Sequence, residues 1–252
     1  MARLTGKIAV VTGAAQGIGA TYARALAAEG ARVMLADILD GSATAQEICD
    51  AGGSARFVSA DVSDPDSVQA MIDATVDAFG TVDILVNNAA IWASLTAQPF
   101  EQIDPAEWDR VMGVNVKGPF LCARAVAPIM KAADYGRIVN IASGTVFKGT
   151  PSFLHYVASK GAVVAMTRCL AREFGDHGVT VNTLAPGLVL SEQVVARPEL
   201  LESLNAPVMA SRSIKRDQHP EDLVGPLLFL VSDDAAFMTG QVTVVDGGSA
   251  MH

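Results

Sequence analysis

Lys7-Ile8-Ala9-Val10-Val11-Thr12-Gly13-Ala14-Ala15-Gln16-Gly17-Ile18-Gly19 stands near the start of the sequence, and an alanine-rich stretch continues from about Ala20 to Glu29. An unbroken apolar run such as Ile8–Val11 has no polar face to show to water. It therefore predicts a strand buried on both sides, the pattern of a parallel sheet covered by helices. The glycines that follow mark a tight strand-to-helix turn, where the missing Cβ lets a ligand approach the backbone and lets the helix pack on the strand. The first N–H groups of such a helix lack intrahelical acceptors and carry partial positive charge, so the corner suits phosphate groups. Ordinary turns are also rich in glycine, and the reading depends on what surrounds this one.

Outward from the loop, short β-branched runs alternate with longer helical patterns. With Lys7–Val11 they predict seven strands, the others at Arg32–Ala36, Ala55–Ser59, Val82–Val86, Arg137–Ile141, Thr180–Leu184 and Gln241–Val245. Half of the 252 residues are hydrophobic and only 6% aromatic, so the core must be layers of Ala, Val, Leu and Ile. No low-complexity linker or solenoid repeat interrupts the alternation. Right-handed crossovers then give a single doubly wound α/β domain over residues 1–252, a Rossmann fold with a seven-stranded parallel sheet flanked by helices. The least regular stretch, Leu188 to His219, contains Pro198 and Pro207 and is predicted to be a mobile helical flap over the site.

The net charge of -9 argues against a phosphate backbone or an anionic lipid surface as partner. The start of the chain lacks a leader pattern, and no apolar stretch of about twenty residues occurs, so neither secretion nor membrane spanning is expected. Cys49, Cys122 and Cys169 lack paired spacing and are expected to be small buried hydrophobes in a reducing, cytoplasmic setting. His155, His177, His219 and His252 have no ligand-like spacing, so no metal site is expected.

Asp37 ends the second apolar run, eighteen residues after Gly19, where an acidic side chain would meet the ribose hydroxyls of a dinucleotide. A carboxylate there repels a 2′-phosphate, and the loop offers no Arg or Lys to neutralise one, which favours NAD(H) over NADP(H). Further on, Tyr156-Val157-Ala158-Ser159-Lys160 begins a helical pattern running to about Phe174, and the spacing stacks Tyr156 and Lys160 on one face. A phenol of ordinary pKa about 10 is a poor base near neutrality. A neighbouring ammonium and a positive nicotinamide ring would both favour the phenolate and bring it into a working range. Alone, the pair would serve equally well on a solvated helix face.

Thr12-Gly-x-x-x-Gly17-x-Gly19, Asp61-Val62, Asn87-Asn88-Ala89, Asn115, Ser143, Tyr156-x-x-x-Lys160 and Pro186-Gly187 occur together, in that order. In this the chain resembles the short-chain dehydrogenase/reductase family over practically its whole length, from Leu4 to Gly248. The resemblance implies that Ser143 binds the substrate oxygen, that Tyr156 moves the proton, and that Lys160 binds the ribose and lowers the pKa of Tyr156. It implies that Asn115 holds a water linking Lys160 to solvent, that Asp61 and Val62 meet the adenine, and that Asn88 and Ala89 line the cofactor groove. Gly13, Gln16, Gly17, Ile18, Gly19 and Asp37 complete the cofactor side, with Pro186, Gly187, Val189 and Ser191 near the nicotinamide.

Two positions depart from the family pattern. Ala90 stands where a glycine is usual, so any positive φ there would carry a steric cost, and Ser191 replaces a threonine. The implied activity interconverts an alcohol and a ketone by hydride transfer. Adjacency to the motifs places Ile91, Trp92, Thr145, Phe147, Phe153, His155, Leu188, Val194 and Val195 around the substrate, although Trp92 and Phe147 would fit a core or subunit contact as well. A mostly apolar wall suits an aromatic or alicyclic secondary alcohol, and the subgroup resembled is that of NAD-dependent aryl and cyclic alcohol dehydrogenases. The alternatives are a 3-oxoacyl-carrier-protein reductase and a non-catalytic nucleotide-binding sensor. The resemblance also implies a homotetramer, with the segments Ala106–Met130 and Phe153–Phe174 at subunit contacts.

Overall fold

The computed structural model describes residues 2–251, apart from the side chains of Leu200 and Ser203; His252 lies outside the described residues. Seven parallel strands form one sheet in the order β3-β2-β1-β4-β5-β6-β7. They are β1 (Ile8–Thr12), β2 (Arg32–Asp37), β3 (Ser54–Ser59), β4 (Ile84–Asn87), β5 (Gly136–Ile141), β6 (Val179–Pro186) and β7 (Val242–Val245). Every predicted strand is present, with ends displaced by one or two residues. The fourth begins at Ile84, two residues later than predicted; just before it, the Asp83 carboxylate accepts from Ile8 N at 2.8 Å.

Both faces of the sheet are buried. Along β1, Ala9 and Val11 enter one core and Val10 the other; along β2, Val33 and Leu35 are divided from Met34 and Ala36 in the same way. The first core is closed by α1 (Gly17–Ala28), α2 (Ser42–Asp50) and α10 (Val224–Val231), through Tyr22, Leu26, Ile48, Leu227 and Leu230. The second is closed by α3 (Pro65–Phe79), α5 (Gly118–Ala132) and α7 (Leu154–Phe174), through Met71, Ile72, Val126, Met130 and Phe174. Each such side chain contributes about 1.5–3 kcal/mol on burial, which is why the continuous apolar strands need helices on both sides.

After β3 the chain crosses back to lay β4 on the other side of β1, so strand order reverses between these neighbours. The crevice beyond their C-terminal ends is where open parallel sheets bind ligands. The segment Ala106–Met130 is α4 (Pro105–Met112) and most of α5 joined by a wider turn, Gly113–Lys117, which carries Asn115. Between β5 and α7 lies the short α6 (Thr145–Lys148). The stretch from Leu188 to His219, for which a flap is expected, contains α8 (Glu192–Val195) and α9 (Pro198–Ser211), and Val189 pairs with Gln218 across its base. The cysteine expectation fails at two of three positions: Cys122 is buried, its thiol pushed up to about 12, whereas Cys49 and Cys169 stand exposed on helix surfaces. Among the described residues no helix is long and apolar enough to cross a membrane.

Candidate active site

The glycine loop is built by close backbone packing. Gly13 and Gly17 have φ of +65° and +59°, a region that residues with a Cβ rarely enter. A Cβ on Gly19 would overlap the Gly13 carbonyl oxygen and stand 2.6 Å from Asn88 Nδ2. Asn88 fastens the loop, donating from Nδ2 to the carbonyls of Thr12 (2.9 Å) and Gly13 (3.0 Å). Thr12 Oγ1 accepts from the backbone N–H of Asn88 and of Ala89, each at 3.1 Å. Gln16 precedes α1 in extended conformation without capping it, and the first turn carries no acidic side chain. The leading amides of α1 thus remain suited to a phosphate. Ile18 packs its side chain into the core, while Gly17 faces the flap, where a Cβ would lie 2.8 Å from Gln193 Oε1.

Asp37 closes β2 over this loop. Its carboxylate accepts from Ala15 N and Leu39 N, both at 3.0 Å, so it buttresses the glycine turn. Asp61 accepts from Ser63 N at 2.8 Å and Ser63 Oγ at 2.7 Å, which holds its carboxyl below the usual carboxylate range. Val62 is buried against Gly118, where a Cβ would come within 2.8 Å of it. The cost foreseen at Ala90 does not arise, since the non-glycine residues of positive φ among those described are Asp134 and Ser152.

At the C-terminal ends of β5 and β6 the predicted catalytic residues converge. Tyr156 is buried with the Ser143 side chain beside it; Ser143 Oγ accepts from Thr145 Oγ1 at 3.0 Å and Thr145 N at 3.2 Å. Lys160 Nζ stands 5.7 Å from the centre of the Tyr156 ring and donates to the Ile141 carbonyl at 2.8 Å. The expectation that Lys160 lowers the Tyr156 pKa needs correction. Burial pushes the phenol up to about 12, with the Ser143 side chain pulling weakly the other way, and burial pushes the Lys160 amine down to about 8. Desolvation favours the neutral form of both groups and outweighs their mutual influence.

Asn115, fully buried, accepts from Ile91 N at 2.7 Å and donates to Ile91 O and Ser159 Oγ, both at 3.1 Å. Ser159 Oγ in turn donates to the Tyr156 carbonyl at 2.7 Å, so the Asn115 side chain ties the loop after β4 to the helix carrying Tyr156. Beneath the site runs a buried chain that the sequence did not reveal. Asn87 Nδ2 donates to Asn140 Oδ1, Asn140 Nδ2 to Thr167 Oγ1, and Thr183 Oγ1 to the same Thr167 hydroxyl, all within 2.8–2.9 Å. Pro186 accepts from Gly144 N and Gly187 N donates to Val245 O, which sets the end of β6 beside the Ser143 loop. Buried Ser191 precedes α8 and donates to Gln193 Oε1 at 3.4 Å.

The predicted substrate wall divides. Ile91, Trp92 and Phe153 gather around Tyr156, with the Trp92 ring centre 4.5 Å from that of Tyr156 and 5.0 Å from that of Phe153. Leu204 of α9, not foreseen, packs on the same cluster. Phe147 packs instead with Val163, Val164 and Met166 in a separate cluster. His155 is fully enclosed, its Nε2 3.1 Å from Glu107 Oε1 on α4, because its place on α7 turns it toward that helix. Val194 is buried in the flap while Val195, next in sequence, is 55% exposed. Leu188, half-buried, gives its carbonyl to Arg212 Nη2.

A protein-family model described as enoyl-(acyl carrier protein) reductase matches residues 13–250. The chain is 40% identical over 249 residues to 3-alpha-(or 20-beta)-hydroxysteroid dehydrogenase of Mycobacterium tuberculosis, covering 98% of this chain and 90% of that one. It is 38% identical to a 3-oxoacyl-[acyl-carrier-protein] reductase of Synechocystis over 256 residues, the full length of both. A solved structure from Beutenbergia cavernae, provisionally assigned as an NAD(P) dependent gluconate 5-dehydrogenase and holding NADP at low occupancy, superimposes with a TM-score of 0.90. It is 41% identical, over 98% of this chain and 97% of that one. The chain belongs to the short-chain dehydrogenase/reductase family, oxidoreductases that interconvert alcohols and carbonyl compounds.

Proposed function

We propose that the protein is an NAD(H)-dependent oxidoreductase that interconverts a secondary alcohol, aromatic or alicyclic, with its ketone, using Tyr156 as general acid/base. The observation that carries this reading is the buried phenol of Tyr156 beside the Ser143 side chain, with the Lys160 amine one helical turn away and 5.7 Å from the ring centre. The uncapped start of α1, the fastened glycine loop and Asp37 would hold the dinucleotide, and Pro186, Gly187, Val189 and Ser191 would face its nicotinamide. Nicotinamide, when bound, supplies the hydride acceptor or donor.

The chain's own residues handle the proton and the oxygen. In reduction Tyr156 gives its phenolic proton to the carbonyl oxygen while the Ser143 hydroxyl supports the charge developing there. In oxidation the phenolate takes the hydroxyl proton back. Burial keeps the phenol protonated near neutrality, so the resting site is poised for reduction and oxidation gains as pH rises. Asn115 acts on the geometry, holding Ile91 and the start of α7 in register.

The ring cluster of Trp92, Phe153, Ile91 and Leu204 supports an apolar cyclic substrate, because a sugar hydroxyl or phosphate would find no charged partner among those four side chains. Asp37 supports NAD(H), since a carboxylate at the end of β2, bonded to the glycine loop through Ala15 N, would repel a 2′-phosphate bound beside it. A cytoplasmic homotetramer is part of the same reading, supported by the family resemblance alone. The second reading, a 3-oxoacyl-carrier-protein reductase, is favoured by the Synechocystis relative.

The test is reduced-cofactor formation with a panel of secondary alcohols, supplied with NAD or NADP. The expected result is turnover of cyclic alcohols with NAD preferred about tenfold or more, and a shift toward NADP of at least about tenfold in Asp37→Ser. A wild-type preference for NADP would remove the NAD reading and bring the carrier-protein reductase forward. NADH binding without turnover of any alcohol would favour a nucleotide sensor.

A further inference from the structure

Arg197 lies in the flap immediately before α9, yet its guanidinium is spent on a loop about a hundred residues earlier in the chain. Its Nη1 donates to the carbonyl oxygens of Ala93 at 2.6 Å and Leu95 at 3.2 Å. Its Nε donates to Glu199 Oε1 at 2.9 Å, which fixes the plane of the fork. Leu95 N donates to the Trp92 carbonyl at 2.9 Å, so both carbonyls that Arg197 grips belong to the turn beginning at Trp92. That tryptophan covers Tyr156, and Leu204, seven residues beyond Arg197, packs on the same cluster. Residues seven apart on a helix share a face.

We propose that Arg197 is a specificity-determining positioning residue. By joining the Trp92–Leu95 turn to α9 it fixes the distance between the Trp92 wall and Tyr156 and restricts the site to compact, single-ring secondary alcohols. A guanidinium is suited to this because it presents several donors in a rigid plane and keeps its charge at every working pH, whereas a lysine ammonium is a flexible point charge. A second arginine serves as contrast. Arg212 is buried and donates to Leu188 O at 2.6 Å and Arg216 O at 2.8 Å, joining the two ends of the flap to each other without touching the Trp92 turn. Arg212 holds the flap together, and Arg197 decides where it closes.

This inference rests on the substrate reading above, and the experiment separates the two. The chain has two tryptophans, Trp92 and Trp108, so a Trp108→Phe background leaves Trp92 as the sole indole reporter. In that background Arg197→Met and Arg197→Lys are compared with the parent by acrylamide quenching of Trp92, NADH affinity, and kcat and KM for a single-ring secondary alcohol and a four-ring hydroxysteroid. For Arg197→Met the expected result is about twofold stronger quenching and a single-ring KM raised about fivefold to tenfold with kcat nearly unchanged. The steroid-to-single-ring ratio of kcat/KM should rise about tenfold, with NADH affinity preserved. Arg197→Lys, which can reach one carbonyl, should fall between, and it carries the test if the methionine variant does not fold. Unchanged quenching in the variants overturns the proposal, as does stronger quenching with unchanged KM, or a parallel loss of NADH affinity. If the parent turns over neither alcohol, the substrate reading fails while quenching still decides whether Arg197 holds the Trp92 turn.

Discussion

The glycine loop and the flap segment meet where Gly17 faces Gln193, and they are held by different means. In the loop, backbone meets backbone: Gly19 stands directly on the Gly13 carbonyl, and short side chains, Thr12 and Asn88, tie the remainder down. In the flap, long side chains reach across to carbonyl oxygens, Arg197 to the Trp92 turn and Arg212 to the flap's own ends. The first arrangement has almost no freedom to relax, because protein backbone in close contact cannot retreat without moving the strands beneath it. The second can lose a contact and shift. Cofactor recognition should therefore be brittle in this protein and substrate recognition adaptable.

Substitutions can break that contrast, and the largest effect is expected in the loop. Gly19→Ala forces a methyl into the Gly13 carbonyl and should cost about 3 kcal/mol in urea denaturation while abolishing NADH binding in a fluorescence titration. A normal denaturation midpoint with normal affinity would show that the loop yields more easily than its packing implies. The Arg197 variants should come next, altering KM with little loss of stability. The smallest effect belongs to Val195→Ser: the side chain is 55% exposed, so stability should change by less than about 0.5 kcal/mol and KM should stay constant. A raised KM there would place Val195 at the substrate after all.

The same contrast explains what could be read in the sequence. Continuous apolar runs such as Ile8–Val11 can be satisfied in few ways, and the strands they predicted are present with small shifts at their ends. The glycine loop was legible for a related reason, since its shape follows from local steric rules. The flap was legible only as a helical excursion. Nothing about an isolated arginine announces that it will grip carbonyls a hundred residues away, and nothing near Leu204 pointed it at Tyr156. His155 and Val195 were assigned to the substrate wall by adjacency, but neighbours on a helix point about 100° apart, so His155 met Glu107 and Val195 met solvent. The electrostatics were the least legible part. The spacing of Tyr156 and Lys160 gave their proximity correctly, whereas the direction of the Tyr156 shift depends on burial, which spacing does not report.

All of this converges on Tyr156 as the proton carrier, and a pH–rate profile of alcohol oxidation by wild type and Tyr156→Phe, run side by side with saturating NAD, tests it most directly. A base must be deprotonated to act, and burial pushes this phenol up to about 12, so the wild-type rate should climb with pH across the neutral and mildly alkaline range. The phenylalanine variant should bind NADH normally, turn over about 10³-fold more slowly, and show a flat profile. A variant that keeps wild-type turnover and its rise with pH would contradict the account.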